Sequence, residues 1–140
     1  MSFFYEIISN NPRIKSFPNC TYIEGPVLDV LIALRDKVHR GYRILSHPLT
    51  GNLPASRRLF LSVVVFKPSL QQEDHFVDLD SIKLVESALD IYRNSKPSFP
   101  LQSTKAMEDM QYLDEELIMP VLRQCGITSQ EGVHSVDRSQ

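Results

Sequence analysis

A single α/β domain, built on a mixed, mostly parallel sheet of about four strands with a buried crossover helix and two C-terminal helices, is the fold this 140-residue chain predicts. Three observations carry that reading. The stretch from Tyr22 to Gly51 reads as strand, helix, strand; Leu59–Phe66 is an almost unbroken apolar, β-branched run; and two later segments repeat apolar residues at helical spacing. One core suffices at this length, burying roughly two thirds of the surface the unfolded chain exposes. The domain is assigned to residues 1–127, and the polar residues 128–140, with almost no apolar content, to a disordered tail.

The first strand is Phe3–Ile8, rich in aromatic and β-branched residues and stopped by the turn cluster Ser9-Asn10-Asn11-Pro12. Arg13 to Asn19 allows one or two helical turns at most. Thr21–Glu24 is the second strand. Gly25 is then expected at the cap and Pro26 at the first helical position, where a missing N–H costs nothing. The helix to about Arg40 carries Val27, Leu28, Val30, Leu31, Ile32, Leu34 and Val38 over most of its circumference, so it must be buried. Asp29 near its start, Lys37, His39 and Arg40 near its end, and Gly41 as a left-handed stop all agree with those boundaries.

Tyr42–Ser46 is the third strand, and the strand-helix-strand succession implies a right-handed parallel crossover that puts strands two and three in one sheet. Residues 47–58, with two prolines and a glycine, form a long loop, a length usually reserved for function or motion. No helix fits there, so the Leu59–Phe66 strand is expected to return antiparallel beside strand three, and Val64 and Ile32 to be fully buried. Asp80 or Ser81 caps a helix to about Asn94 with Ile82, Val85, Leu89 and Tyr92 inward. A last helix from Thr104 presents Met110, Leu113, Leu117 and Val121 on one face and Glu108, Asp109, Asp114, Glu115 and Glu116 mostly on the other. Pro120 is expected to kink or end it near Glu116.

Composition excludes more than it assigns. A formal charge of -2 gives no general reason to seek nucleic acid or an anionic membrane, and no run approaches the length that spans a bilayer. With no export signal at Met1–Glu6, and with Cys20 and Cys125 far apart and read as free thiols, buried or half-buried, a cytoplasmic protein is expected. There is no Walker loop, no GxGxxG and no GxSxG, and the four histidines lie scattered, so no cofactor and no metal is predicted.

Candidate residues follow from the fold. Ligands of open α/β sheets gather beyond the carboxyl ends of the strands, which here gives Asn10 and Asn11 after strand one, Glu24, Gly25 and Asp29 around the helix start, and Ser46, His47, Thr50 and Gly51 after strand three. The helix start is itself a possible anion site, opposed by Glu24 and Asp29, which can occupy its amides. His47 is the one candidate for acid–base catalysis, and Asn11, Glu24 and His47 are expected within about 10–12 Å of one another, a few strand spacings.

Ser9-Asn-Asn-Pro12, Tyr22-Ile-Glu-Gly25, Val30-Leu-Ile, Arg35-Asp36, Val38-His39, Gly41 and His47-Pro-Leu-Thr-Gly51 together resemble the GrdX-like proteins, small proteins encoded beside the selenium-dependent glycine, sarcosine and betaine reductases of anaerobic bacteria. The resemblance spans about residues 5–66. It departs from the family pattern at Tyr42, where a histidine is common, and at Asn52, where a serine is. It implies a setting, anaerobic amino-acid fermentation, and no mechanism. The leading expectation is a non-catalytic accessory protein binding a small molecule or a reductase-system protein. A small enzyme using His47, with Asn11 or Glu24 orienting substrate, and a structural homodimer are the alternatives.

Overall fold

The computed structural model describes residues 4–48, 55–68, 77–95 and 103–127. Thr50, Gly51, half of the predicted 47–58 loop and the predicted tail lie outside the described residues. Four strands, β1 (Phe4–Ser9), β2 (Cys20–Tyr22), β3 (Arg43–Ile44) and β4 (Ser62–Lys67), form one sheet in the order β2-β1-β4-β3. Three helices pack on it: α1 (Val27–His39), α2 (Leu79–Arg93) and α3 (Thr104–Gln124), and a short 3-10 turn at Ala55–Arg57 precedes β4.

The sheet is mixed rather than mostly parallel, because only β1 and β2 pair parallel while β4 runs antiparallel to both β1 and β3. The predicted antiparallel return of β4 beside β3 is present. β2 and β3 do share a direction and a sheet, as the crossover implies, but β1 and β4 lie between them. β4 lies at the centre of the sheet, where its Val63, Val64 and Val65, all fully buried, are covered on both faces.

Alternation along β1 and β4 splits the core in two. Ile8, Val63 and Val65 face α1 and α2, joined by Val30, Leu31, Leu34, Val85 and Leu89. Ile7 and Val64 face the other way, onto Ile118 and Leu122 of α3 and onto Ile14 and Phe17 of the β1–β2 connection. At roughly 1.5–3 kcal/mol for each large side chain fully buried, these two clusters dominate the favourable side of folding. Ile32 does not reach full burial; it is packed against the first cluster with part of its surface exposed, since α1 fills its buried stripe with Val27, Val30, Leu31, Leu34 and Val38.

Helix ends differ from expectation by a residue or two. Pro26 itself stands at the N-cap of α1, in extended conformation (ψ 170°), and Gly25 precedes it. α1 ends in a Schellman turn: Gly41, at φ 97°, donates its N–H to Val38 O and Tyr42 to Lys37 O. Asp78, rather than Asp80 or Ser81, caps α2 by accepting from Ser81 N at 3.1 Å and from Ser81 Oγ at 2.8 Å. The Ser81 hydroxyl oxygen accepts in turn from Ile44 N at 2.9 Å, which ties the start of α2 to the outer edge of β3.

α3 continues through Pro120 to Gln124. Proline removes the N–H that would bond the Glu116 carbonyl, but Pro120 and Glu116 are both exposed, so water can serve that carbonyl. The buried stripe of α3 is also turned by one residue from the predicted one: Asp114, Ile118 and Leu122 point inward, while Leu113 is 41% exposed.

Candidate functional site

β1, β2 and β3 point the same way, so their carboxyl ends, together with the start of β4, define one edge of the sheet. Four short polar side chains and one ion pair meet there on the α3 face. Asp114 is 3% exposed and Arg58 6%, with the guanidinium Nη2 3.6 Å from Asp114 Oδ1. Asp114 Oδ1 also accepts from Ser62 N at 3.1 Å, and Oδ2 accepts from Asn11 Nδ2 at 2.9 Å and from Ser62 Oγ at 2.6 Å. Each carboxylate oxygen is therefore used twice, as a buried charge requires.

The hydroxyl protons order themselves from this end. Ser62 spends its single O–H proton on Asp114, so in the 2.7 Å contact between Ser9 Oγ and Ser62 Oγ the serine at position 9 must be the donor. Ser9 Oγ in turn accepts from Asn11 N at 2.9 Å. A directional chain results, Asn11 N–H to Ser9 to Ser62 to Asp114, in which each bond polarises the next. Tyr92 of α2 lies within electrostatic reach of the pair: burial pushes its phenol pKa up, against a smaller downward pull from Arg58 and a further upward push from Asp114.

The two asparagines after β1 are fully engaged. Asn10 donates to Gly25 O at 2.9 Å and to Leu59 O at 3.1 Å and accepts from Leu61 N at 2.9 Å, pinning the starts of α1 and β4 to the end of β1. Asn11 donates to Gln111 O and Asp114 and accepts from Arg13 N. Both are capped by backbone and carboxylate rather than open to a ligand.

Beside Asp114 a cavity of about 160 Å³ opens between the end of β3 and α3. Its polar lining is Ser46, His47, Arg58, Ser62 and Asp114, and its apolar wall is Leu45, Leu117, Ile118 and Val121. Ser46 is 7% exposed and its oxygen accepts from Val64 N at 2.9 Å, replacing a ladder bond where β3 ends; His47, the next residue, is exposed.

Of the predicted residues, Asn11, Ser46 and His47 are thus gathered around Asp114. Glu24, Gly25 and Asp29 are exposed at the start of α1, which packs on the opposite face of the sheet. Three strand spacings, about 14 Å, separate β2 from β3, so Glu24 and His47 flank the edge. The Asp29 carboxylate folds back over Gly25, where an added Cβ would meet its Oδ2 at 2.6 Å. Arg58, Ser62 and above all Asp114 escaped sequence reasoning, although stepping back one turn from Ile118 at the i, i+4 spacing lands on Asp114. Among the described residues no group of His, Cys, Asp and Glu could hold a metal ion.

A three-layer α/β domain with one buried acidic centre at its strand-end edge and a small cavity beside it is the class that fold and site define. The family model of the GrdX-like proteins matches residues 6–123, and the chain belongs to that family. Neither a curated protein nor a solved structure matches the chain.

Proposed function

We propose that the protein is a non-catalytic accessory component of an anaerobic amino-acid reductase system, and that its strand-end cavity holds a small molecule. The observation that carries this reading is the convergence of Ser46, His47 and the Arg58–Asp114 pair on one cavity closed by an apolar wall, the pattern of a small-ligand site. Family membership supplies the reductase setting. A cytoplasmic location accords with the described helices, none of which is long and apolar enough to cross a membrane.

The rival enzyme reading needs His47 as acid or base and a polar group to orient substrate. Asn11 is a poor orienter because its amide is committed to Asp114, Gln111 and Arg13. Glu24 stands off at the α1 end. The serine hydroxyls of Ser9 and Ser62 are spent within their own chain, and burial raises the pKa of both cysteine thiols, so none of these four groups is an activated nucleophile.

Native purification with mass spectrometry of whatever remains bound tests the proposal. A small molecule retained by the wild type and lost from His47→Ala, with stability changed by less than about 1 kcal/mol as for an exposed loop residue, is the expected result. Retention unchanged in His47→Ala together with severe unfolding would make His47 structural and remove the site.

A further inference from the structure

The two faces of the sheet are covered unequally. Ile8, Val63 and Val65 lie under both α1 and α2, whereas on the other face α3, with Ile14 and Phe17, covers Ile7 of β1 and Val64 of β4. The α3 side of β3 is left over. Leu45, whose N–H continues the β3–β4 ladder to Val64 O, looks across at Leu117 and Val121 of α3 and is still 40% exposed. Arg43, two residues earlier and so on the same side of the strand, is exposed too. A helix is about 10 Å across, about two strand spacings, so a second helix set beside α3 would lie over β3.

α3 carries the matching surface. It buries Asp114, Ile118 and Leu122, which leaves Leu117 and Val121 partly exposed on its flank toward β3 and Leu113 41% exposed. Leu113 and the exposed Glu116 stand nearly opposite Ile118 around the helix, on the side turned away from the sheet. An apolar strip of this kind marks an interaction surface. Its border is charged with both signs, because Glu116 on the helix and Arg43 on the strand make no ion pair among the described residues.

We infer that this face binds a second copy of the chain, with α3 of each copy laid over β3 of the other. A two-fold axis running along the groove between α3 and β3 produces that arrangement, and an interface of this symmetry requires a surface that is its own complement. Leu117 and Val121 then meet their counterparts. Leu113 lands on Leu45 of the partner subunit, and Glu116 faces the partner subunit's Arg43. A helix from an unrelated protein would fill the space over β3 but leave Leu113 and Glu116 of α3 in water, so a copy of the chain uses more of the surface. The contact forms whether or not the neighbouring cavity is filled.

Sedimentation equilibrium of the full chain, from roughly 1 µM to 1 mM, reads the mass directly and should show two chains at the upper end. Leu113→Asp, outside the lining of the cavity beside β3, should stay a single chain throughout, with an unchanged urea midpoint at the dilute end because Leu113 is exposed. Glu116→Arg and Arg43→Glu should each weaken the dimer at least about tenfold, since symmetry repeats the pair twice and reversal sets like charges face to face. The double variant restores both the pairing and the net charge, and should recover most of that loss. A single chain at every concentration overturns the dimer. So does a dimer indifferent to Leu113→Asp, or a double variant no tighter than the two singles. If Leu113→Asp fails to fold, the charge exchange, made on two exposed side chains, decides alone.

Discussion

Asp114 holds the carboxyl edge of the sheet together, because the end of β1, through Asn11, and the approach to β4, through Arg58 and Ser62, are tied through its two oxygens. Asp114→Ala takes the carboxylate away from the buried Arg58 and breaks the Ser62 and Asn11 bonds, so urea unfolding should show a loss of about 3–5 kcal/mol, the range for breaking a buried pair from one side. A loss under about 1 kcal/mol would mean that water replaces the carboxylate. Cys20 makes a second prediction at this scale. Burial first, and the neighbouring Glu6 second, push its thiol from the ordinary 9.0 to about 11. At pH 8 its thiolate fraction, and hence its alkylation by iodoacetamide, should be about a hundredfold below that of an unshifted thiol, with labelling rising steeply toward pH 11. The linkage has a definite sign: the folded state holds this proton more tightly, so the stability it contributes is intact below pH 9 and is lost as pH climbs toward 11. Rapid labelling at pH 8 would contradict the burial. Asp114 was hidden in the sequence because it sits among Glu108, Asp109, Glu115 and Glu116 and finds its partners 52 and 103 positions away. Spacing cannot announce such a meeting, whereas His47 was visible simply by ending a strand.

α1 was legible at both ends because local chemistry decides them: Pro26 cannot extend a helix backward and Gly41 accepts a positive φ at no steric cost. α3 was misread for a reason of the same kind. Its proline implied a break, yet one unmade bond on an exposed face is outweighed by the packing of Ile118 and Leu122 on either side. Restoring that bond should help. Pro120→Ala is expected to stabilise the protein by about 1–3 kcal/mol, the helix-interior penalty of proline less the unfolded-state entropy it removes, read as a higher urea midpoint. An unchanged or lower midpoint would show that α3 depends on the bend. At the far end, Gly126 sits at φ 73° with open space around its Cβ position, so Gly126→Ala tests backbone strain free of any clash and should cost about 1–2 kcal/mol.

For the whole molecule, the strand-helix-strand unit and the apolar β4 run were enough to set the class, and the direction of β4 followed from the missing crossover helix. Strand order was beyond reach. Nothing in the residues says that β4 enters between β1 and β3 instead of extending the sheet, since both placements bury the same valines. That order predicts a gradient in amide exchange: Ile7, Ile8 and Val63–Val65, central and covered on both faces, should exchange slowest, and the two-residue β3 and three-residue β2 far faster. Equal protection across all four strands would argue against the central β1–β4 pair.

The Ser81 hydroxyl that accepts from Ile44 N also governs how the molecule meets copies of itself. β3 is an outermost strand, and an outward amide on such a strand is a template for a foreign strand to add to. By turning that amide inward to the helix, Ser81 removes the first bond that strand addition would make, and the shortness of β3 leaves little else to grip. Replacing Ser81 with alanine should leave the fold standing and raise the concentration-dependent formation of β-rich aggregates, so that this one hydroxyl acts as a guard on solubility.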